Sequence, residues 1–107
     1  MSSTIVDLLE DEGVPNFDAM SASELIIFAD ATAKHIEEED RRETADVLFP
    51  DQDDEERKLE VLHELHVYAS NASMARRYRM SGHIDQALRF EARCDSVYDG
   101  LPTWARW

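Results

Sequence analysis

Glycine and proline are scarce, with three of each in 107 residues. A turn-rich all-β domain uses more of both, and no segment alternates apolar and polar side chains cleanly. Strands are therefore not expected. Cysteine occurs once, as Cys94, which excludes an intrachain disulfide and fits a reducing compartment. No apolar run approaches the ~18 residues of a membrane span, and Met1-Ser2-Ser3-Thr4 lacks the positive start of a signal peptide. No export leader and no membrane partner are expected. A glycine-rich phosphate loop is also missing, which removes the commonest nucleotide-binding device. Lysine is nearly absent, at two against nine arginines, a skew that both a salt-loving source and a GC-rich genome produce.

Negative charge, by contrast, is abundant. The formal net charge is −13, and it is unevenly placed. Residues 1–64 carry 20 acidic and 5 basic side chains, a net −15, whereas residues 65–107 carry 4 and 6, a net +2. Such asymmetry concerns partner choice and solubility more than fold. Direct binding of nucleic acid by the whole chain is not expected, because phosphate repulsion opposes it.

Helix punctuation is strong, and the chain is expected to be all-α: one domain over 1–107, a small bundle of about four helices ending in an αα-hairpin. Helices are predicted near 4–12, 22–48, 52–81 and 83–99. Ser3 caps the first, which carries Ile5, Val6, Leu8 and Leu9 and closes at Gly13 and Pro15. Ser21-Ala22-Ser23-Glu24 is a capping box, with Met20 and Leu25 placed as a hydrophobic staple. Leu25, Phe28, Ala29, Thr32 and Ile36 then form one stripe. The polar run Glu37–Glu43 is where that helix emerges into solvent and bends or breaks before Val47-Leu48-Phe49, and Pro50 ends it. The acidic string Asp51–Glu56 opens the third helix, complementing its dipole. Its inner face reads Leu62, Leu65, Ala69 and Ala72, flanked by Val61, Tyr68 and Ala75. Gly82 should reverse the chain with a left-handed φ, and Gly100-Leu101-Pro102 closes the fourth helix. The domain thus divides into an acidic half (1–64), a hairpin (65–102) and an aromatic tail (103–107).

Two resemblances follow from these residues. Met74, Ala75, Tyr78, Gly82, Ile84, Ala87 and Leu88, with Cys94 at a late small-residue place, resemble a tetratricopeptide hairpin over residues 74–94. Glu91 departs from the pattern where a large apolar residue is wanted, and no second copy lies upstream. The resemblance implies two closely packed helices and one open side that repeat proteins cover with a neighbour. Ala75-Arg76-Arg77, Gly82, Ala87-Leu88, Tyr98, Leu101-Pro102 and Arg106-Trp107 look like the C-terminal part of short uncharacterised proteins of tailed phages. That likeness implies a viral source and no particular activity. The expected location is the cytoplasm, the host's if the source is viral.

No constellation for catalysis rises above its structural alternative. His63-Glu64-Leu65-His66, with Glu60 and with His35 and Glu38 on the preceding helix, has spacings used by bundle metal sites. At ~100° per residue, however, His66 falls at the edge of the apolar stripe and His63 outside it. No metal and no cofactor are therefore expected. Cys94 has no sequence-local base and reads as structural. Arg76, Arg77, Arg79, Arg89 and Arg93 form the basic cluster, expected to neutralise acidic side chains of the first half. Trp104 and Trp107 either fold back over the hairpin or hook a partner. The chain is thus expected to be a non-enzyme that binds a protein partner or itself, with Asp51, Asp53, Asp54, Glu55, Glu56, Trp104 and Trp107 as candidate contact residues. The alternative is an acidic decoy, an inhibitor whose carboxylates imitate phosphate spacing on a host nucleic-acid-binding or defence protein.

Overall fold

The computed structural model describes residues 14–33 and 37–107. They form four α-helices, α1 (Ala22–Ala31), α2 (Glu38–Leu48), α3 (Glu55–Met80) and α4 (Ile84–Gly100), with 3₁₀ turns at Phe17–Ala19 and Thr103–Ala105. No strand occurs among the described residues, so the all-α bundle is as expected. The predicted helix near 4–12 and His35 lie outside the described residues.

Local chemistry sets most boundaries. Ser21 caps α1 with both halves of the box: the Glu24 amide donates to Ser21 Oγ at 3.2 Å, and the Ser21 amide to Glu24 Oε1 at 3.0 Å. The Glu24 carboxyl is held below its ordinary range, first by the hydrogen bond from the Ser21 backbone. Asp54 caps α3 by accepting from the Arg57 amide at 3.1 Å. Asp51–Asp53 precede the helix rather than opening it, which moves its start from 52 to 55. Pro50 follows the last residues of α2 as expected.

The expected helix over 22–48 is two helices, and its break falls before the polar run. At the end of α1 the Thr32 hydroxyl donates back to the carbonyl of Phe28 at 2.9 Å and lies 3.3 Å from that of Ala29. His66 of α3 reaches the same place, its Nδ1 2.7 Å from the Ala29 carbonyl. A carbonyl only accepts, so Nδ1 carries the proton and donates. Terminal carbonyls that a continuing helix would have used are thereby satisfied from outside. The polar residues Glu38–Glu43 then start α2 rather than interrupt a longer helix.

The centre of the fold is α3. At 26 residues it is ~39 Å long, and α1, α2 and α4 all pack on it. Its buried residues Val61, Leu62, Leu65, Ala69 and Ala72 meet Leu25 and Phe28 of α1 and Leu48 of α2 in one core. Lys58, only 6% exposed, reaches Asp46 of α2 at 2.9 Å and Glu55 at 3.7 Å. The hydrogen bond to Asp46 raises its pKa.

The hairpin turns at Gly82, whose φ is +80°. The His83 amide donates to the Tyr78 carbonyl at 2.8 Å and the Gly82 amide to that of Arg79 at 3.1 Å, the paired bonds of a Schellman motif. The rings of Tyr78 and His83 supply its side-chain contact at 6.1 Å. A Cβ at Gly82 would meet nothing within 4 Å, so the requirement for glycine is purely one of backbone conformation. Gly82→Val should cost about 1 kcal/mol or more, and Gly82→Asn clearly less, because asparagine tolerates this region. Urea midpoints of the two variants measure the difference.

Candidate interaction surface

The aromatic tail is tied into the fold. Trp107 packs edge-to-face on Phe17, Tyr68 and Tyr98, with centroids 4.7, 4.6 and 4.8 Å away. Its indole N–H points at Asp18 (3.4 Å) and its carbonyl accepts from the Tyr98 hydroxyl at 3.0 Å. Trp104 stands edge-on to Phe49 at 5.0 Å. Arg106 donates to the carbonyls of Leu101 (3.1 Å) and Asp99 (3.0 Å), satisfying acceptors at the end of α4. Of the candidate contact residues, Asp51 and Trp104 are brought together. Both line a depression of about 260 Å³ with Val14, Leu48, Phe49, Pro50, Gln52 and Arg106. Asp53, Asp54, Glu55 and Glu56 are exposed and do not line it, and Trp107 belongs to the aromatic cluster on Phe17.

The metal-spaced residues are otherwise engaged. His66 serves the end of α1, and its Nδ1 also lies 3.2 Å from the Thr32 hydroxyl. His63 stacks on His66 at 5.8 Å, and Glu60 pairs with Arg57 at 3.0 Å. Among the described residues, no group of three or more His, Cys, Asp or Glu is placed to hold a metal ion. Glu64 sits half-buried with one carboxylate oxygen unpartnered, and burial raises its pKa. Its ionised form is therefore a cost that grows as pH rises through the folded value.

Cys94 packs beneath the seam of α3 and α4, its sulfur 3.6 Å from the Tyr68 carbonyl. Burial, followed by the charges of Asp95 and Glu91, pushes the thiol from 9.0 up to about 11. A shift of that size leaves about 100-fold less thiolate at pH 8 than an ordinary cysteine has. Alkylation of the native protein by iodoacetamide at pH 8 should be slower by at least that factor, and denaturation should restore it. The native state holds this proton more tightly than the unfolded chain, so the group costs stability as pH climbs from 9 towards 11.

Among the described residues no ion pair joins the basic cluster to the acidic half, although the charge of Arg76 helps to lower the Glu24 carboxyl. Arg79 makes a two-pronged bond to Glu91, at 2.6 and 2.7 Å, within the hairpin itself. That pairing explains a carboxylate at the place where the tetratricopeptide pattern wants an apolar residue. It also holds the Glu91 carboxyl below its ordinary value of 4.5, a contribution present above that pH and lost as pH falls further. Arg76 does reach the first half, but through the backbone carbonyls of Phe17 (2.9 Å) and Asp18 (3.1 Å). Arg93 lies over the Phe90 ring at 5.0 Å. Among the described residues Arg77 and Arg89 enter no ion pair.

Sequence inspection missed the feature that stands out most at this end. Met80, Ile84 and Leu88 are exposed by 84%, 43% and 51%, around the hairpin turn and along one side of α4. Ile84 and Leu88 are one helical turn apart, a spacing that in the sequence alone reads as hairpin packing. Ala87, between them, faces α3 and is fully buried.

No protein-family model, curated protein or solved structure matches the chain. Among the described residues no helix is long and apolar enough to cross a membrane.

Proposed function

We propose that the chain is a non-catalytic protein-interaction module that works without a cofactor, phage-encoded and acting in the host cytoplasm. The observation that carries this reading is the exposed apolar end of the hairpin, Met80, Ile84 and Leu88, on a chain whose net charge is −13. Ile84 and Leu88 lie one helical turn apart on α4, and an apolar patch left exposed commonly serves contact with another macromolecule. The tetratricopeptide-like pattern of the hairpin supports it, because such hairpins present one side to a neighbour. Light scattering with size-exclusion chromatography, and capture from host lysate with wild type and Leu88→Glu, test the proposal. A protein that stays monomeric and retrieves no partner sinks it.

A second reading has its own observation. Glu38, Glu39, Asp40, Glu43, Asp46, Asp51, Asp53, Asp54, Glu55 and Glu56 are all exposed, and only Glu38, Asp46 and Glu55 among them are ion-paired. Carboxylates spaced along α2, the start of α3 and the segment between them suit an inhibitory decoy for a nucleic-acid-binding protein. Such a decoy would displace DNA from its target in a salt-sensitive manner, and failure to compete at low ionic strength removes the idea.

A further inference from the structure

We propose that the turn end of the α3–α4 hairpin is a docking surface for an acidic, apolar-anchored peptide segment of a partner protein. The proposal rests on the interaction-module reading above and names its surface and partner chemistry. Three observations converge on one place. Met80, Ile84 and Leu88 offer apolar contact, Ile84 and Leu88 being a helical turn apart on α4. Arg77 and Arg89 stand exposed near them and enter no ion pair among the described residues. Finally, α4 begins without a side-chain cap, its N-cap His83 making no such bond. The first turn of this 17-residue helix thus has uncapped amides at the positive end of its dipole, with Asp85 as its acidic side chain.

Gly82, His83, Ile84, Asp85, Gln86 and Arg89 line an open depression of about 500 Å³ at that helix start. Apolar and basic features thus share residues, since Ile84 and Arg89 belong to both. The local charge decides the occupant. Residues 77–89 hold Arg77, Arg79 and Arg89 against Asp85, and Arg79 is already matched by Glu91, which leaves Arg77 and Arg89 facing one carboxylate. This end is positive on a strongly negative protein. A basic segment would meet like charge, and a nucleic acid would leave the apolar side chains of Met80 and Leu88 uncovered. A second copy would bring one positive end against another. Carboxylates beside large apolar side chains satisfy every feature at once, reaching the uncapped amides and arginines while the apolar anchors cover Ile84 and Leu88.

The test uses the full chain labelled with ¹⁵N and two synthetic 14-residue amphipathic peptides. One carries leucines at helical spacing among glutamates, and its twin has lysine for every glutamate. The Glu peptide should shift the amide resonances of residues 80–89, with a Kd on the order of 100 µM at low salt. The Lys peptide should bind at least ~10-fold more weakly, as should the Glu peptide to Arg77→Glu/Arg89→Glu and to Leu88→Glu. These positions are exposed, so the variants should keep the wild-type spectrum elsewhere. Equal binding of the Lys peptide overturns the proposal, as do shifts that map away from the hairpin turn, or variants that bind like wild type. Self-association abolished by Leu88→Glu would make a second copy the occupant and overturn it too. If a partner captured from lysate keeps its affinity for the double arginine variant and for Leu88→Glu, this surface falls while the module reading stands.

Discussion

Trp107→Ala is expected to lower the stability of the protein by about 3 kcal/mol, the lower end of the range for losing a tryptophan from a packed site. The lower end applies because the residue is half-buried. Its ring is nonetheless shared by three aromatic neighbours from three parts of the chain: Phe17 before α1, Tyr68 in the middle of α3 and Tyr98 near the end of α4. Phe17 is fully buried and makes a further edge-to-face contact with Phe28 at 4.8 Å. Truncation of Trp107 therefore uncovers a ring that anchors the segment before α1, and each lost aromatic contact is worth ~0.5–1.5 kcal/mol beyond its area. Removing residues 103–107 should cost more. It also takes away Trp104 from Phe49 and the Arg106 guanidinium from the carbonyls of Asp99 and Leu101. For a domain of this size, 3 kcal/mol corresponds to a fall in Tm of more than ~10 °C. Thermal unfolding followed by circular dichroism checks both variants. A double-mutant cycle between Phe17→Ala and Trp107→Ala should show coupling, because the rings touch. An unchanged Tm after deletion of the tail would mean that its tryptophans are not held by the fold and are free for a partner.

What could be read from the sequence was what is decided within a few residues. The Ser21 box, the stop at Pro50 and the left-handed Gly82 are each determined by near neighbours in the chain. The inner face of α3 followed from periodicity, because Leu62, Leu65, Ala69 and Ala72 repeat with the helix and all are buried. The errors lie where a distant residue decides. The end of α1 depends on His66, 37 positions from the carbonyl it serves, and no local pattern announces that. Arg76 was matched to carboxylates because charges are visible in a sequence, whereas its acceptors are the backbone carbonyls of Phe17 and Asp18, about 60 positions away. Trp107 and Asp18 are 89 positions apart. The open end of the hairpin was missed for a related reason. Ile84 and Leu88 have the spacing of core residues, and only the position of Ala87 against α3 shows that the helix buries another face.

That orientation of α4 sets the second large effect. Ala87→Leu is expected to destabilise the protein by about 1–3 kcal/mol through overpacking. Ala87 is fully buried, and Ala75, at 4% exposure, and Ala72, at 8%, supply small side chains from the facing helix. The two helices are clamped together one turn beyond this alanine, by the Arg79–Glu91 bond and by stacking of Tyr78 on Phe90 at 5.6 Å. Three extra carbon atoms could be accommodated only by spreading the seam, which would strain both clamps. Ala92→Leu is the control. It adds the same atoms to the same helix on an exposed face, so it should stay within about 0.5 kcal/mol of wild type. Equal urea midpoints for the two variants would mean that the seam has room, and the alanines would then not be what brings the helices together. A large loss at Ala87 alone would show that α4 is fixed in rotation about its axis. Fixing that rotation is also what leaves Ile84 and Leu88 facing outward, so seam and open surface are two consequences of the same small residues.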